Sequence, residues 1–168
     1  MDYTTVFDVA RDGFVEWKFP AVGLIGVAVG AGMLVYYWRQ PKVRGTGLKR
    51  VFALFYLTFA ILWTVASFTS LYSEYAHLRD ALVTGRYTVV EGVVTNFKPA
   101  PAEGHADEEF DVAGHHYSFS DYVVIAAYHR SRSHGGAFRE GLRVRIADVE
   151  GQIARLEVAA DQDPKPAP

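Results

Sequence analysis

Two long runs without a single charged residue, Phe19–Trp38 and Val51–Tyr72, constrain this chain more than any other feature. A helix rises about 1.5 Å per residue, so about 20 apolar residues match a hydrocarbon core of roughly 30 Å. A helix on the surface of a soluble protein carries a polar face, and neither run has one. Both are therefore expected to be transmembrane helices. Trp17, Tyr36, Tyr37 and Trp38 flank the first run, and Tyr72 and Tyr75 follow the second, where interfacial aromatic belts belong. Pro20 suits a first helical turn, where its missing N–H costs nothing. The first run is not expected to be a cleaved signal, because Asp8, Asp12 and Glu16 precede it instead of a basic region.

Between the runs, residues 39–50 carry Arg39, Lys42, Arg44, Lys49 and Arg50 and no acid. The positive-inside rule places this loop in the cytoplasm and both termini outside, which in a bacterial inner membrane means the periplasm. Residues 1–18 then form an N-terminal extracytoplasmic segment. Gly26 and Gly30 make a G-x-x-x-G face on the first helix, while the second is bulky, with Phe52, Phe55, Tyr56, Phe59, Trp63 and Phe68. Small residues let helices approach closely. The pair packs either against the chain's own second helix or against another chain. Neither run holds an ionisable residue other than tyrosine, which disfavours proton relays and haem ligation inside the membrane.

The C-terminal half reads differently. Residues 73–85 continue as a helical connector, with Tyr75, Leu78 and Leu82 at helical spacing and Gly85 as a stop. Residues 86–158 alternate short β-branched and aromatic runs with turn residues. Tyr87–Phe97 reads as a strand, and Glu109–Val112 with His115–Phe119 as a hairpin around Ala113-Gly114. Leu142–Val149 and Ile153–Val158 form a closing hairpin, and Val123–Tyr128 is a further apolar run. Five or six strands in so short a segment predict a small all-β, OB-like barrel, closed or partly open. Residues 159–168, rich in proline, are expected to be a disordered tail.

Five blocks of residues define a resemblance. Val112-Ala-Gly114 with Tyr117 is followed by Gly136-Ala-Phe-Arg-Glu-Gly141. Val144-Arg-Ile146, Val149-Glu-Gly151 and Leu156-Glu-Val158 complete the order. This succession resembles the OB-fold domain of the NfeD family of membrane-anchored proteins, with Ser120–Ser133 as an insertion. The resemblance implies a partner role beside stomatin-type membrane proteins and no catalysis.

No cysteine is present, so disulfides, thiolate metal sites and cysteine nucleophiles are excluded. The net charge of −2 gives no global case for nucleic acid. The six histidines, His77, His105, His115, His116, His129 and His134, all follow the second apolar run. None stands in a metal-binding motif, and no metal or other cofactor is expected. A two-residue turn at Ala113-Gly114 pairs Val112 with His115, Asp111 with His116 and Phe110 with Tyr117. His115 then joins the apolar face and His116 the wet face. Asp111, His116 and Ser118 are the residue types of a nucleophilic triad, with Asp121 and His134 as alternative members, but without a nucleophile elbow.

In the closing hairpin Leu142, Val144 and Ile146 alternate with Arg143 and Arg145, and Ala154, Leu156 and Val158 with Arg155 and Glu157. Burying the apolar set requires Ile146 opposite Leu156 and Val144 opposite Val158. A three-residue loop, Glu150-Gly151-Gln152, would supply that register. Arg143, Arg145, Arg155 and Glu157, with Arg139, then form the candidate contact surface. The expected function is a membrane-tethered binding or assembly module, an accessory subunit of a larger membrane complex and not an enzyme. Its expected partners are the lipid bilayer and other membrane protein subunits. A histidine-bearing metal sensor or hydrolase is the alternative.

Overall fold

The computed structural model describes residues 2–41, 45–101 and 106–162. Lys42, Arg44 and His105, singled out above, lie outside them. The chain divides into two compact units, one of Val15–Ser73 and one built from its two ends, up to Phe14 and from Glu74 onward.

The end-built unit is a six-stranded antiparallel sheet. Its strands are β1 (Tyr3–Asp8), β2 (Thr88–Lys98), β3 (Glu108–Val112), β4 (His115–Phe119), β5 (Arg143–Val149) and β6 (Gln152–Ala159), in the spatial order β1-β6-β5-β2-β3-β4. Five of the strands fall in the segment expected to hold five or six, Val123–Tyr128 is not a strand, and the sixth, β1, comes from the N-terminal segment; the sheet is open and no barrel closes. Its edges are β1 and β4. Closing a sheet onto β6 needs a free β6 edge, and β1 occupies it, from Tyr3 opposite Ala159 to Asp8 opposite Arg155. The N-terminal segment is thus partly a strand of the β unit. A one-turn helix α1 (Val9–Asp12) follows, capped by Asp8, whose Oδ1 accepts the N–H groups of Ala10 (2.8 Å) and Arg11 (3.1 Å).

The β3–β4 hairpin has the expected register, with Phe110 opposite Tyr117 and Val112 opposite His115. Ala113 and Gly114 both have positive φ, the conformation a two-residue hairpin turn needs. His115 lies on the expected face with Tyr117 and Phe119, but it is exposed instead of buried with them. It sits beside the turn on an edge strand, at the end of the aromatic cluster.

The closing hairpin also has the expected pairs, Ile146 opposite Leu156 and Val144 opposite Val158. The route differs. Glu150 and Gly151, both at positive φ, form a two-residue turn with Val149 opposite Gln152. A register shift follows, because Asp148 pairs with Ile153 whereas Ala147 pairs with Arg155. Ala154 is the extra residue, a bulge that restores the register which keeps Arg155 out of the core.

Each face of the sheet meets its own core. On one side Phe110, Phe119, Tyr128 and Phe138 form an aromatic cluster with Val94, Val144, Ile146, Leu156 and Val158. Phe110 stacks on Phe138 with ring centroids 4.1 Å apart. On the other side Ala147, Val149 and Ala154 pack with Leu78, Ala81, Leu82, Val9, Ala126 and Ala127. The connector thus covers one end of the outer face. Ala160–Gln162, placed in the tail from sequence, are ordered: the Ala160 N–H donates to Asp2 O at 2.9 Å.

In the second unit, α2 (Lys18–Ala21) leads into α3 (Gly23–Arg39), and α4 (Thr46–Thr84) runs onward, its residues from Glu74 belonging to the β unit. Both runs are helices long and apolar enough to cross a membrane. They pack small against large, as one of the two expectations had it. A Cβ on Gly30 would lie 3.0 Å from Leu57 Cα, and one on Gly26 3.6 Å from Ala60 Cβ. Gly23 approaches closer still, beside Thr64 and Trp63. Arg50 closes the end of α3, donating to the carbonyls of Tyr37 (3.0 Å) and Gln40 (2.8 Å). A cation there satisfies carbonyls the helix leaves unpaired.

Candidate functional site

The five residues of the candidate surface start from strand alternation. Arg143 and Arg145 on β5, with Arg155 and Glu157 on β6, point to the outer face, while Val144, Ile146, Leu156 and Val158 are wholly buried. Arg145 lies between two carboxylates, Glu91 on β2 (Nε–Oε2 2.9 Å) and Glu157 on β6 (Nη1–Oε2 3.5 Å). The Tyr3 ring covers the guanidinium at 4.1 Å, and its hydroxyl donates to Glu91 at 2.9 Å. Arg155 donates to Asp8 at 2.6 Å. Arg139 donates to the Gln162 carbonyl at 2.6 Å, and the Gln162 side chain accepts the Arg143 N–H at 2.9 Å.

The geometry gives this face its electrostatics. The Tyr3 hydroxyl and then Arg145 hold the Glu91 carboxyl below its usual range. Burial, and then Glu91, raise the Tyr3 phenol. Among the described residues, Arg145 and Arg155, though not Arg139 and Arg143, are thus matched by carboxylates. Beside it Val89 and Val93 on β2 are exposed. Sequence reasoning missed Tyr3, Asp8, Glu91 and Gln162. Glu91 was readable as an outward position of β2, whereas the other three become neighbours only through the pairing of β1 and the turn after β6.

A second polar cluster lies in the segment between β4 and β5, which was expected to be an insertion and loop. It is a built turn. Asp121 accepts the Ser131 N–H at 2.7 Å, the Ser131 hydroxyl, and His134 Nδ1 at 2.9 Å. Burial pulls the Asp121 carboxyl up, but these hydrogen bonds outweigh it and leave it below its usual value. Glu108 is fully buried, and its Oε2 accepts the Arg132 N–H at 2.9 Å, with the Ala100 N–H also drawn to the carboxyl. Burial raises the Glu108 carboxyl. Gly136 completes the turn, since a Cβ there would come within 2.7 Å of the Ser131 carbonyl carbon. Phe138 follows directly into the aromatic core.

Asp121, Ser131 and His134 do meet, but not as a nucleophilic relay. Such a relay needs serine and aspartate on opposite ring nitrogens. Here the Ser131 hydroxyl (3.3 Å) and Asp121 both address Nδ1 of His134, and Ser131 is buried. The other candidate set is also split: His116 pairs with Asp111 at 2.8 Å, but Ser118 donates to Asp107 at 3.1 Å. Hydrogen bonding from Asn96, then His116, lowers the Asp111 carboxyl. His77 stands 3.7 Å from Glu150, and His129 Nδ1 lies 2.9 Å from the Ala127 carbonyl. Among the described residues, no group of three or more histidines and carboxylates is placed to hold a metal. No family model, curated protein or solved structure matches the chain.

Proposed function

We propose that this chain is a two-span membrane protein whose β unit is a binding or assembly module, an accessory subunit of a larger membrane complex. The observation that carries the membrane reading is what the two helices leave uncovered. Only 17% and 11% of their most apolar windows are buried, and Leu24, Ile25, Phe55 and Leu62 are each at least 60% exposed. A core helix of a soluble protein would be mostly covered, and an apolar surface of this extent needs lipid or a partner. The basic residues Arg39, Lys49 and Arg50 favour a cytoplasmic turn, with the β unit outside. Pairing of β1, which precedes the first helix, with β6, which follows the second, supports an even number of crossings.

The assembly reading rests on the outer face. Arg139, Arg143, Arg145, Arg155 and Glu157, with the exposed Val89 and Val93 beside them, offer a partner a charged surface, part of it already paired, next to apolar side chains. An assembly face of this kind selects by shape and position more than by net charge.

Two measurements test this. Cysteines introduced singly at Asp2, Gly47 and Asp161 should react with an impermeant thiol reagent in intact cells at the first and last positions only. Labelling at position 47 would overturn the orientation. Purification in mild detergent from the membranes of the source organism should recover additional subunits, lost on reversing Arg143 and Arg145 to glutamate. Recovery of the chain without other subunits would overturn the accessory-subunit reading.

A further inference from the structure

The two edges of the sheet are not alike. The β1 edge strand is broken by a register shift between Thr5 and Phe7, which bends it and spoils it as a template. The β4 edge strand has no such device. His115–Phe119 contains no proline, lysine or glycine, and it pairs with β3 without a register shift. Outward from it, no main-chain hydrogen bond is made among the described residues. Hydrogen-bonded and non-hydrogen-bonded pairs alternate along an antiparallel ladder. The two-residue turn makes Val112–His115 a bonded pair, so the main-chain groups of His116 and Ser118 are the ones that face outward.

The side chains give this edge a complement. On the outer face His116 and Ser118 are exposed. Asp111 engages His116 Nδ1, which leaves Nε2 on the side away from β3. Ser118 carries Asp107 beside it, through a hydrogen bond of 3.1 Å. The edge therefore presents an imidazole at one position and a serine-bound carboxylate two residues on.

We infer that β4 is a homotypic docking edge, pairing antiparallel with β4 of a second copy about a two-fold axis at Tyr117. In that register His116 lies opposite Ser118 of the other copy, twice over. Each His116 then faces the other copy's Ser118–Asp107 pair, so a ring N–H donor meets a carboxylate at both ends. About four main-chain hydrogen bonds form across the axis, from the groups that now point outward. The isologous pairing closes on itself and uses up the β4 edge of both copies, so it yields a dimer and no fibre. This inference stands apart from the membrane reading.

The test uses the full chain in detergent, where the absence of native cysteine gives a clean background. Facing Cα atoms in a bonded antiparallel pair are about 5.5 Å apart, within disulfide reach. The double variant His116→Cys/Ser118→Cys should oxidise to a covalent dimer at least tenfold faster than either single variant. An equimolar mixture of the two single variants should form the mixed dimer. Ser118→Pro removes one outward N–H while leaving the β3 ladder intact, and light scattering should find it monomeric with an unchanged circular dichroism spectrum. A monomeric parent chain, single variants that cross-link as fast as the double variant, or a dimer that survives Ser118→Pro would each overturn the docking edge.

Discussion

Replacing single glycines of α3 by alanine separates the face buried within the chain from the face left open. Alanine in a helix interior is favoured over glycine by about 0.5–1 kcal/mol. At Gly32 a Cβ meets nothing within 4 Å, and at Gly26 it meets Ala60 and Tyr56 at ordinary contact distance, 3.6 and 3.7 Å. Both substitutions should stabilise the hairpin by roughly that amount. At Gly30 the Cβ stands 3.0 Å from the Leu57 Cα and 3.1 Å from its Cβ, so the helices must part by a few tenths of an ångström and the gain should vanish. At Gly23 the Cβ would press on the Thr64 hydroxyl and come 2.8 Å from the Trp63 ring. Thr64 is held by its hydrogen bond to the Ala60 carbonyl at 2.7 Å, so it cannot turn away freely. Overpacking of this kind costs about 1–3 kcal/mol, more than the propensity gain, and Gly23→Ala should destabilise by about 1–2 kcal/mol. Titration from mild detergent into dodecyl sulfate, followed by circular dichroism, measures the series. Thr64→Ala should recover part of the loss in the Gly23→Ala background, a coupling a double-mutant cycle resolves. Equal and favourable shifts at Gly23 and Gly32 would refute packing of this glycine face against α4 and free it for another chain.

Val9, almost wholly buried against Leu78 and Leu82, ties the N-terminal segment to the β unit. At about 0.8 kcal/mol per buried carbon, Val9→Ala should cost about 2 kcal/mol in thermal or denaturant unfolding. Tyr128 and Tyr117 should differ in what a change to phenylalanine costs. The Tyr128 hydroxyl accepts the buried Ala137 N–H at 2.9 Å, and burial pushes its phenol up to about 12, so its loss should cost about 1–3 kcal/mol. Among the described residues, the buried Tyr117 hydroxyl makes no close hydrogen bond and is drawn only toward the Asp148 carboxyl, so Tyr117→Phe should cost less than Tyr128→Phe by the same melt. Glu108 sets a pH dependence: its folded carboxyl titrates above its unfolded value, so the folded state keeps the proton longer. Its contribution to stability therefore falls as pH rises from the unfolded value through the folded one. Glu108→Gln should flatten the fall in melting temperature over that window, and an unchanged slope would remove Glu108 as its source.

Local sequence determined the two apolar helices, because an uncharged run of membrane length has few other ways to be stable. It also determined both hairpin registers. Pairing Ile146 with Arg155 would bury a charge, so the alternation of Arg143 and Arg145 with Val144 and Ile146 dictated which residues face each other. How the chain reaches that register was not legible, since a three-residue loop and a two-residue turn with a bulge at Ala154 satisfy the same constraint. The remaining features depend on contacts far apart in sequence. Tyr3–Asp8 has no neighbouring turn and partner run to declare it a strand, and it becomes one through pairing with β6, which leaves the sheet open. That pairing also turns Tyr3 and Asp8 into partners of Arg145 and Arg155, so a surface that reads as basic along the chain is partly matched in space. Likewise Asp121, Ser131 and Glu108 meet only because Phe119, Tyr128 and Phe138 draw both ends of the intervening segment into one core. Periodicity along a chain states which way each side chain faces. Which edge lies beside which is decided by the total burial and pairing of the assembled sheet, and no local window contains that sum.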